Sequence, residues 1–291
     1  PRSLFEKPIR TKLREFGIPH KKSGPLNVAK NIQKINSDWA ENKRGDGIAM
    51  SVAKIVEKIE QVSEKKLKEF AVAYCKRYLQ EAEKVEQLKF TPQQNQDPLF
   101  LIKLAHDLVS SVPDGGSTPQ MIIGILLEVA HKNKNSSVVL SGHKDSVSTT
   151  NTTSKKAGDA IEQFSDKTEF IYEITVKKFS DDRLMESYEA IKAYVTKNTI
   201  REVFVVCRQK DIPNEAINQF DSKFFLGAVS HQDIIYYFVD IFEWIQEKIL
   251  FLTPIGRDPY QQDLAEYINQ PNTSEKVKVY FREWHTKHQP K

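Results

Sequence analysis

The sequence predicts an α/β protein with a helical N-terminal region, and three observations predict it. Before residue 112 apolar residues recur at three- and four-residue steps, the period of amphipathic helices. Two later runs, 170–179 and 202–207, are rich in β-branched and aromatic residues, as strands are. Between them 183–196 returns to helical spacing, so strand, helix and strand alternate as an α/β core with a crossover requires.

The elements follow in order. Residues 1–25 hold Pro8, Pro19 and Pro25 with Gly17 and Gly24, and read as an extended arm. Ile48, Val52, Ile55, Ile59 and Val62 lie on one helical stripe, continued by Leu67, Phe70, Ala71, Tyr74 and Tyr78. The stretch 98–112 repeats the spacing with Leu101, Leu104, Leu108 and Val112. Pro113-Asp114-Gly115-Gly116 then breaks it. Two regions are expected: 1–112, a basic arm and helical subdomain, and 113–291, a core of mixed strands and helices with a helical tail.

Ser117 or Thr118 can cap the next helix, with Pro119 in its first turn and Ile122, Ile123, Leu126 and Leu127 on its apolar side. A short apolar run, Val138-Val139-Leu140, ends at Ser141-Gly142-His143. The Ser-, Thr- and Lys-rich stretch 144–157 reads as a loop. A strand over 159–164, a polar turn over 165–168 and the strand 170–179 make a hairpin. The helix 183–196 carries Leu184, Tyr188, Ile191 and Val195 on one stripe. Five consecutive apolar residues, 203–207, suit a sheet interior. From about Asn214 the pattern reads as mostly helical, including 234–252 as a largely buried amphipathic helix broken by Asp240, Glu243 and Lys248.

Composition excludes several classes. With 291 residues, one or two domains can bury a core without disulfides or a structural metal. No window reaches the ~20 apolar residues of a membrane span. The first twelve residues carry charges throughout and lack an apolar run, so no secretory signal is expected there. A start at Pro1 rather than Met points to further residues upstream. Cys75 and Cys207 each sit in an apolar pattern and read as buried thiols, which favours a reducing, cytoplasmic compartment. The first fifty residues hold eleven Lys and Arg against five Asp and Glu, a surplus larger than the whole chain's +4. The basic arm (Arg2, Lys7, Arg10, Lys12, Arg14, Lys21, Lys22, Lys30) suits a polyanion.

Chemistry concentrates in Gly158-Asp159 and in Glu173-Ile174-Thr175-Val176-Lys177. On a strand alternate side chains share a face, so Glu173, Thr175 and Lys177 are expected to project together. A glutamate and a lysine on a mostly apolar strand are costly unless paired or coordinating. Folding the hairpin back brings Asp159 near that strand, and two carboxylates can hold a hard cation through oxygen. Such a cation polarises a phosphate and activates water, while a nearby ammonium offsets developing charge.

An acid followed by a strand bearing an acid and a lysine resembles the PD-(D/E)xK nuclease superfamily, and within it the SacI-type restriction endonucleases. The resemblance runs over about 117–210 and rests on the helix 120–128, on Val139-Leu140-Ser141-Gly142-His143, on Gly158-Asp159 and on Glu173 to Lys177. It implies a mixed-sheet, restriction-endonuclease-like core and Mg²⁺-dependent hydrolysis of a phosphodiester in double-stranded DNA, leaving a 5′ phosphate. It makes Asp159 and Glu173 the metal ligands, with the Ile174 carbonyl a third, and Lys177 the residue that positions water. Glu128 resembles the accessory glutamate aimed at the metal. One departure stands out: the family leaves one residue between acid and lysine, and here Thr175 takes that place. Lys177 lies about 7 Å further by strand rise, and Lys178 points to the other face.

Lys144, Lys155, Lys156 and His143 in and beside the 144–157 loop are expected to meet DNA. A homodimer suits cutting both strands of a symmetric site. Asp114-Gly115-Gly116-Ser117-Thr118 lacks the lysine of a P-loop and reads as a turn. Ser141, His143 and Asp145 are too close in sequence for a hydrolase triad. The seven histidines show no repeated metal-ligand spacing. Three other readings stay open: a repair or recombination nuclease, a DNA-binding protein that keeps the fold without cutting, and a helical interaction protein whose strand acids are structural.

Overall fold

A computed structural model describes residues 10–16, 34–41, 47–143, 157–165, 167–194 and 200–288. By contacts the chain divides into two units, Pro1–Gln87 and Leu88–Lys291.

The described residues of the first unit form α1 (Arg10–Glu15), α2 (Ser37–Glu41), α3 (Ile48–Glu60) and α4 (Glu64–Gln87). α1 falls within the segment expected to be an extended arm. Among the described residues of this unit the two buried apolar side chains are small, Ala40 and Ala53, where α2 meets α3. Glu57 of α3 accepts from the Ser37 backbone N–H at 3.0 Å, which ties the start of α2 to α3. The apolar stripe read from the sequence forms its helix but stays largely outside, with Ile48, Val52, Ile55 and Val62 exposed. Cys75, expected to be buried, is exposed on α4, whereas Cys207 is buried.

The second unit is α/β, with a mixed sheet. It begins with α5 (Pro98–Ser111), whose first turn is capped by Asp97 accepting from Leu99 N–H at 2.9 Å. The helix 98–111 belongs to the α/β unit, where it packs against the later helices Ser117–Asn133, Ile241–Leu250 and Glu275–His288. Leu101, Leu104 and Leu108 go fully into its core. α6 (Ser117–Asn133) follows a 3₁₀ turn at Asp114–Gly116. Its cap is Gly116, at φ 110°, rather than the expected Ser117 or Thr118. Both of those residues lie inside the helix.

Six strands follow: β1 (Val139–Ser141), β2 (Ala160–Phe164), β3 (Lys167–Ile174), β4 (Glu202–Cys207), β5 (Phe225–His231) and β6 (Ile234–Asp240). Their order is β1-β2-β3-β4-β6-β5. β3, β4 and β6 run parallel, and the pairs at either edge are antiparallel. α7 (Asp181–Tyr194) is the crossover between β3 and β4.

The tail corrects the sequence reading. The span 234–252 is not one helix but β6 followed by α8 (Ile241–Leu250). Ile-Ile-Tyr-Tyr-Phe-Val is β-branched and aromatic, and Gln232 at φ 54° makes a tight turn that pairs β6 back onto β5. Asp240 then stops the strand by accepting the Phe242 and Glu243 N–H groups at 2.8 and 3.1 Å. α9 (Pro254–Asn269) and α10 (Glu275–His288) complete the chain.

Two apolar layers cover the sheet. Ala160, Ile174, Val206 and Val239 join the core made by α5, α6, α8, α9 and α10. Ile161, Ile171, Val205 and Phe238 join the other, closed by Phe179 and by Leu184 and Ile191 of α7. Among the described residues no helix is long and apolar enough to cross a membrane.

Candidate functional site

Two glycines open the site. A Cβ on Gly158 would lie 2.6 Å from Ile171 Cγ2 and 2.8 Å from the Tyr172 carbonyl oxygen, so only glycine lets the chain run this close to β3. A Cβ on Gly124 of α6 would lie 2.6 Å from His143 Cβ, so the turn after β1 rests directly on that helix.

Asp159 follows Gly158 and is half-buried. Its N–H donates to the Tyr172 carbonyl at 2.9 Å, and its Oδ2 accepts the Ile174 N–H at 2.9 Å. A side-chain carboxylate thus serves as acceptor for β3 just before β2 begins, which fixes its position against the strand. Ser141 pairs with Ile161, and Ala160 with Tyr172. The ladders stop there: Gly142 at φ 87° turns the chain onto α6, and Asp159, next before Ala160, lies against Tyr172 and Ile174 of β3.

Glu173 is 3% exposed and faces α7, where Ser187 Oγ donates to its Oε1 at 3.0 Å. Thr175 shares that face and is also buried. Arg183 Nη1 donates to Thr175 Oγ1 at 2.6 Å. Helix and strand spacings explain the match: residues i and i+4 on a helix are about 6 Å apart, residues i and i+2 on a strand about 7 Å. Arg183 and Ser187 therefore meet Thr175 and Glu173 in pairs.

β3 ends at Ile174, short of the expected 179. Thr175 Oγ1 accepts the Lys177 N–H at 3.0 Å and donates to the Lys177 carbonyl at 3.2 Å, closing a local turn. Lys177 is exposed beyond this bend and does not continue the Glu173–Thr175 face. Lys178 is tied to the Ile212 carbonyl at 2.6 Å and Asn214 Oδ1 at 3.0 Å.

On α6, Glu128 accepts from Lys132 Nζ at 2.8 Å and pairs with His143 Nε2 at 3.0 Å. His143, expected to contact DNA, is 5% exposed and packs inward instead, because the Gly124 notch receives it. Lys144, Lys155 and Lys156 lie outside the described residues.

The sequence reading missed three groups. Arg183 and Ser187 carry a signal only in their four-residue spacing after an acid-bearing strand. The third lies on the other face of the sheet, where Glu162 is buried. There His131 Nε2 pairs with Glu162 Oε1 at 2.7 Å and Tyr172 Oη donates to its Oε2 at 3.3 Å. Burial, then the Glu162 charge, pushes the Tyr172 hydroxyl well above its usual pKa.

Charge gathers where the parallel strands end. Burial raises the Cys207 thiol pKa to about 12; Asp211 and Asp240 add to the rise, and Arg183 and Arg208 oppose it. The buried Tyr236 hydroxyl is likewise pushed to about 12, first by burial and further by the Glu173 charge. The C-terminal ends of parallel strands are where open α/β sheets bind ligands.

Among the described residues no three His, Cys, Asp or Glu side chains are grouped to hold a metal ion. Mg²⁺ takes one or two carboxylates and completes its shell with water and phosphate oxygen, and the side chains of Asp159 and Glu173 are of that donor kind. Comparison with known proteins finds no matching family model and no matching curated protein.

Proposed function

We propose that this chain is a Mg²⁺-dependent endonuclease of the PD-(D/E)xK kind that hydrolyses phosphodiesters in double-stranded DNA, as type II restriction enzymes do. The observation that carries this reading is the Asp159 carboxylate pinned at the end of β3 by the N–H of Ile174, the residue next after Glu173. The same helix, strand, hairpin, helix and strand that carry the resemblance surround it.

Asp159 and Glu173 would hold the metal, which when bound supplies Lewis-acid polarisation of the phosphate and a more acidic water. Water adds to phosphorus and the bond from phosphorus to O3′ breaks. The electron pair leaves with O3′, which gains a proton as the water loses one. Ser187 holds Glu173 in one orientation through its donated hydrogen bond. Glu128, paired to His143, lies on α6 where the turn after β1 rests. Double-stranded DNA is the partner, and a homodimer would place two such sites on the two strands.

A DNA-binding protein without cutting activity is the second reading, favoured by the strand ending before Lys177. Plasmid cleavage with Mg²⁺ or EDTA, alongside salt-dependent DNA binding, separates the two. Discrete fragments that require Mg²⁺ and fall by about 10²-fold or more in Asp159→Ala and Glu173→Ala are expected. A smear would indicate a repair or recombination nuclease, and salt-sensitive binding with no cleavage would support the second reading.

A further inference from the structure

We propose that Arg183, from the first turn of α7, supplies the cation that meets the scissile phosphate in the place where Thr175 stands instead of a lysine. This rests on the nuclease reading above. The Arg183 guanidinium donates one hydrogen bond to Thr175 Oγ1 at 2.6 Å and lies over the Phe179 ring at 5.1 Å from its centroid. The guanidinium thus stands on the face of β3 that Glu173 occupies, two residues along from it.

The other cations near this strand end are committed or off the face. Lys178 is held by the Ile212 carbonyl and Asn214. Arg208 is held by Asp211 and the Val176 carbonyl. Lys177 lies past the bend. Arg183 has five N–H donors, one of them on Thr175, and among the described residues no other acceptor takes one. It is partly exposed, so the rest of its planar fork can pair two phosphate oxygens at once. Arg183 takes no proton in the reaction; it offsets negative charge on the non-bridging oxygens as the bond to O3′ breaks.

The test is single-turnover plasmid cleavage at saturating protein, with DNA affinity and thermal melting measured on the same preparations. The variants are Arg183→Ala, Arg183→Lys, Lys177→Ala and the double variant Thr175→Lys/Arg183→Ala. Arg183→Ala is expected to slow cleavage by about 10²-fold or more, with little change in affinity or melting. Arg183→Lys should recover part of the rate but lose it at high pH as the ammonium deprotonates near its ordinary pKa of about 10.4, a loss the wild type does not show. The double variant should recover cleavage by returning the ammonium to the strand. A purely structural Arg183 would give neither the high-pH limb nor that rescue. Near-wild-type cleavage by Arg183→Ala, or a large loss in Lys177→Ala instead, would overturn the assignment. If Arg183→Ala melts early, the pH profile of Arg183→Lys decides. A wild type that binds DNA without cutting would remove the nuclease reading and this assignment with it, whereas a cutting wild type isolates the failure to Arg183.

Discussion

Residue positions in the site are set by contacts only a few tenths of an ångström deep. Gly158 lies where any Cβ would press on both the Ile171 side chain and the Tyr172 backbone, and a carbonyl in a paired strand cannot move aside cheaply. Gly158→Ala is therefore expected to cost about 1–3 kcal/mol in urea unfolding. It should also weaken any Asp159-dependent activity, because the hydrogen bonds holding Asp159 begin at the adjacent residue. Unchanged stability would mean that the approach of this turn to β3 is looser than 2.6 Å. Glu173 is fixed differently, as a carboxylate 3% exposed that keeps an O–H donor from Ser187. A buried charge needs such partners, and coordination to a cation would be one more of them.

At the level of elements, the junction from β6 to α8 decides how the sheet hands over to the helices. Asp240 closes the strand in register with Cys207 and satisfies two N–H groups of the following helix. Asp240→Ala should cost about 1 kcal/mol, and at most ~2, by urea unfolding, and Asp240→Asn should cost less because Asn caps nearly as well. A loss well beyond that would show that Asp240 also answers charge at the strand ends, where Arg183 and Arg208 lie. The crossover α7 does related work on the other face. Its turn spacing delivers one donor to Glu173 of β3 and one to Thr175 just past the strand's end, so both are oriented by one rigid element.

For the molecule as a whole, pH acts through a histidine that is not among the site residues. His285 of α10 is buried among Phe90, Phe100, Phe281 and Trp284. Burial first, and His288 second, hold its pKa down from 6.5 to about 4. The folded protein thus keeps it neutral where the unfolded chain takes up a proton. Its contribution to stability is fully present above about pH 6.5 and is lost as pH falls toward about 4. His285→Leu should flatten that part of the profile, measured as urea midpoints between pH 7 and pH 4; an unchanged slope would place the loss elsewhere. Phe90 and the last helix meet at this cluster, so it also joins the beginning and end of the α/β unit.

The sequence by itself determined the alternation of strand and helix around Gly158-Asp159 and Glu173, because apolar period and β-branched content are local properties that survive into the fold. It marked Thr175 as the position where a lysine was missing. It did not settle 234–252, since an apolar run with scattered charges suits a helix or a strand followed by one, and only pairing with β4 and β5 chose between them. Nor did it settle where β3 stops, which depends on a threonine side chain capturing its own backbone two residues on. It placed Leu101, Leu104 and Leu108 on a helix, but not in which core they would be buried. Only the tertiary structure put Arg183 against Thr175 and Ser187 against Glu173. Which face of a crossover helix lies on a strand is fixed by the packing of the two, and no stretch of chain records that on its own.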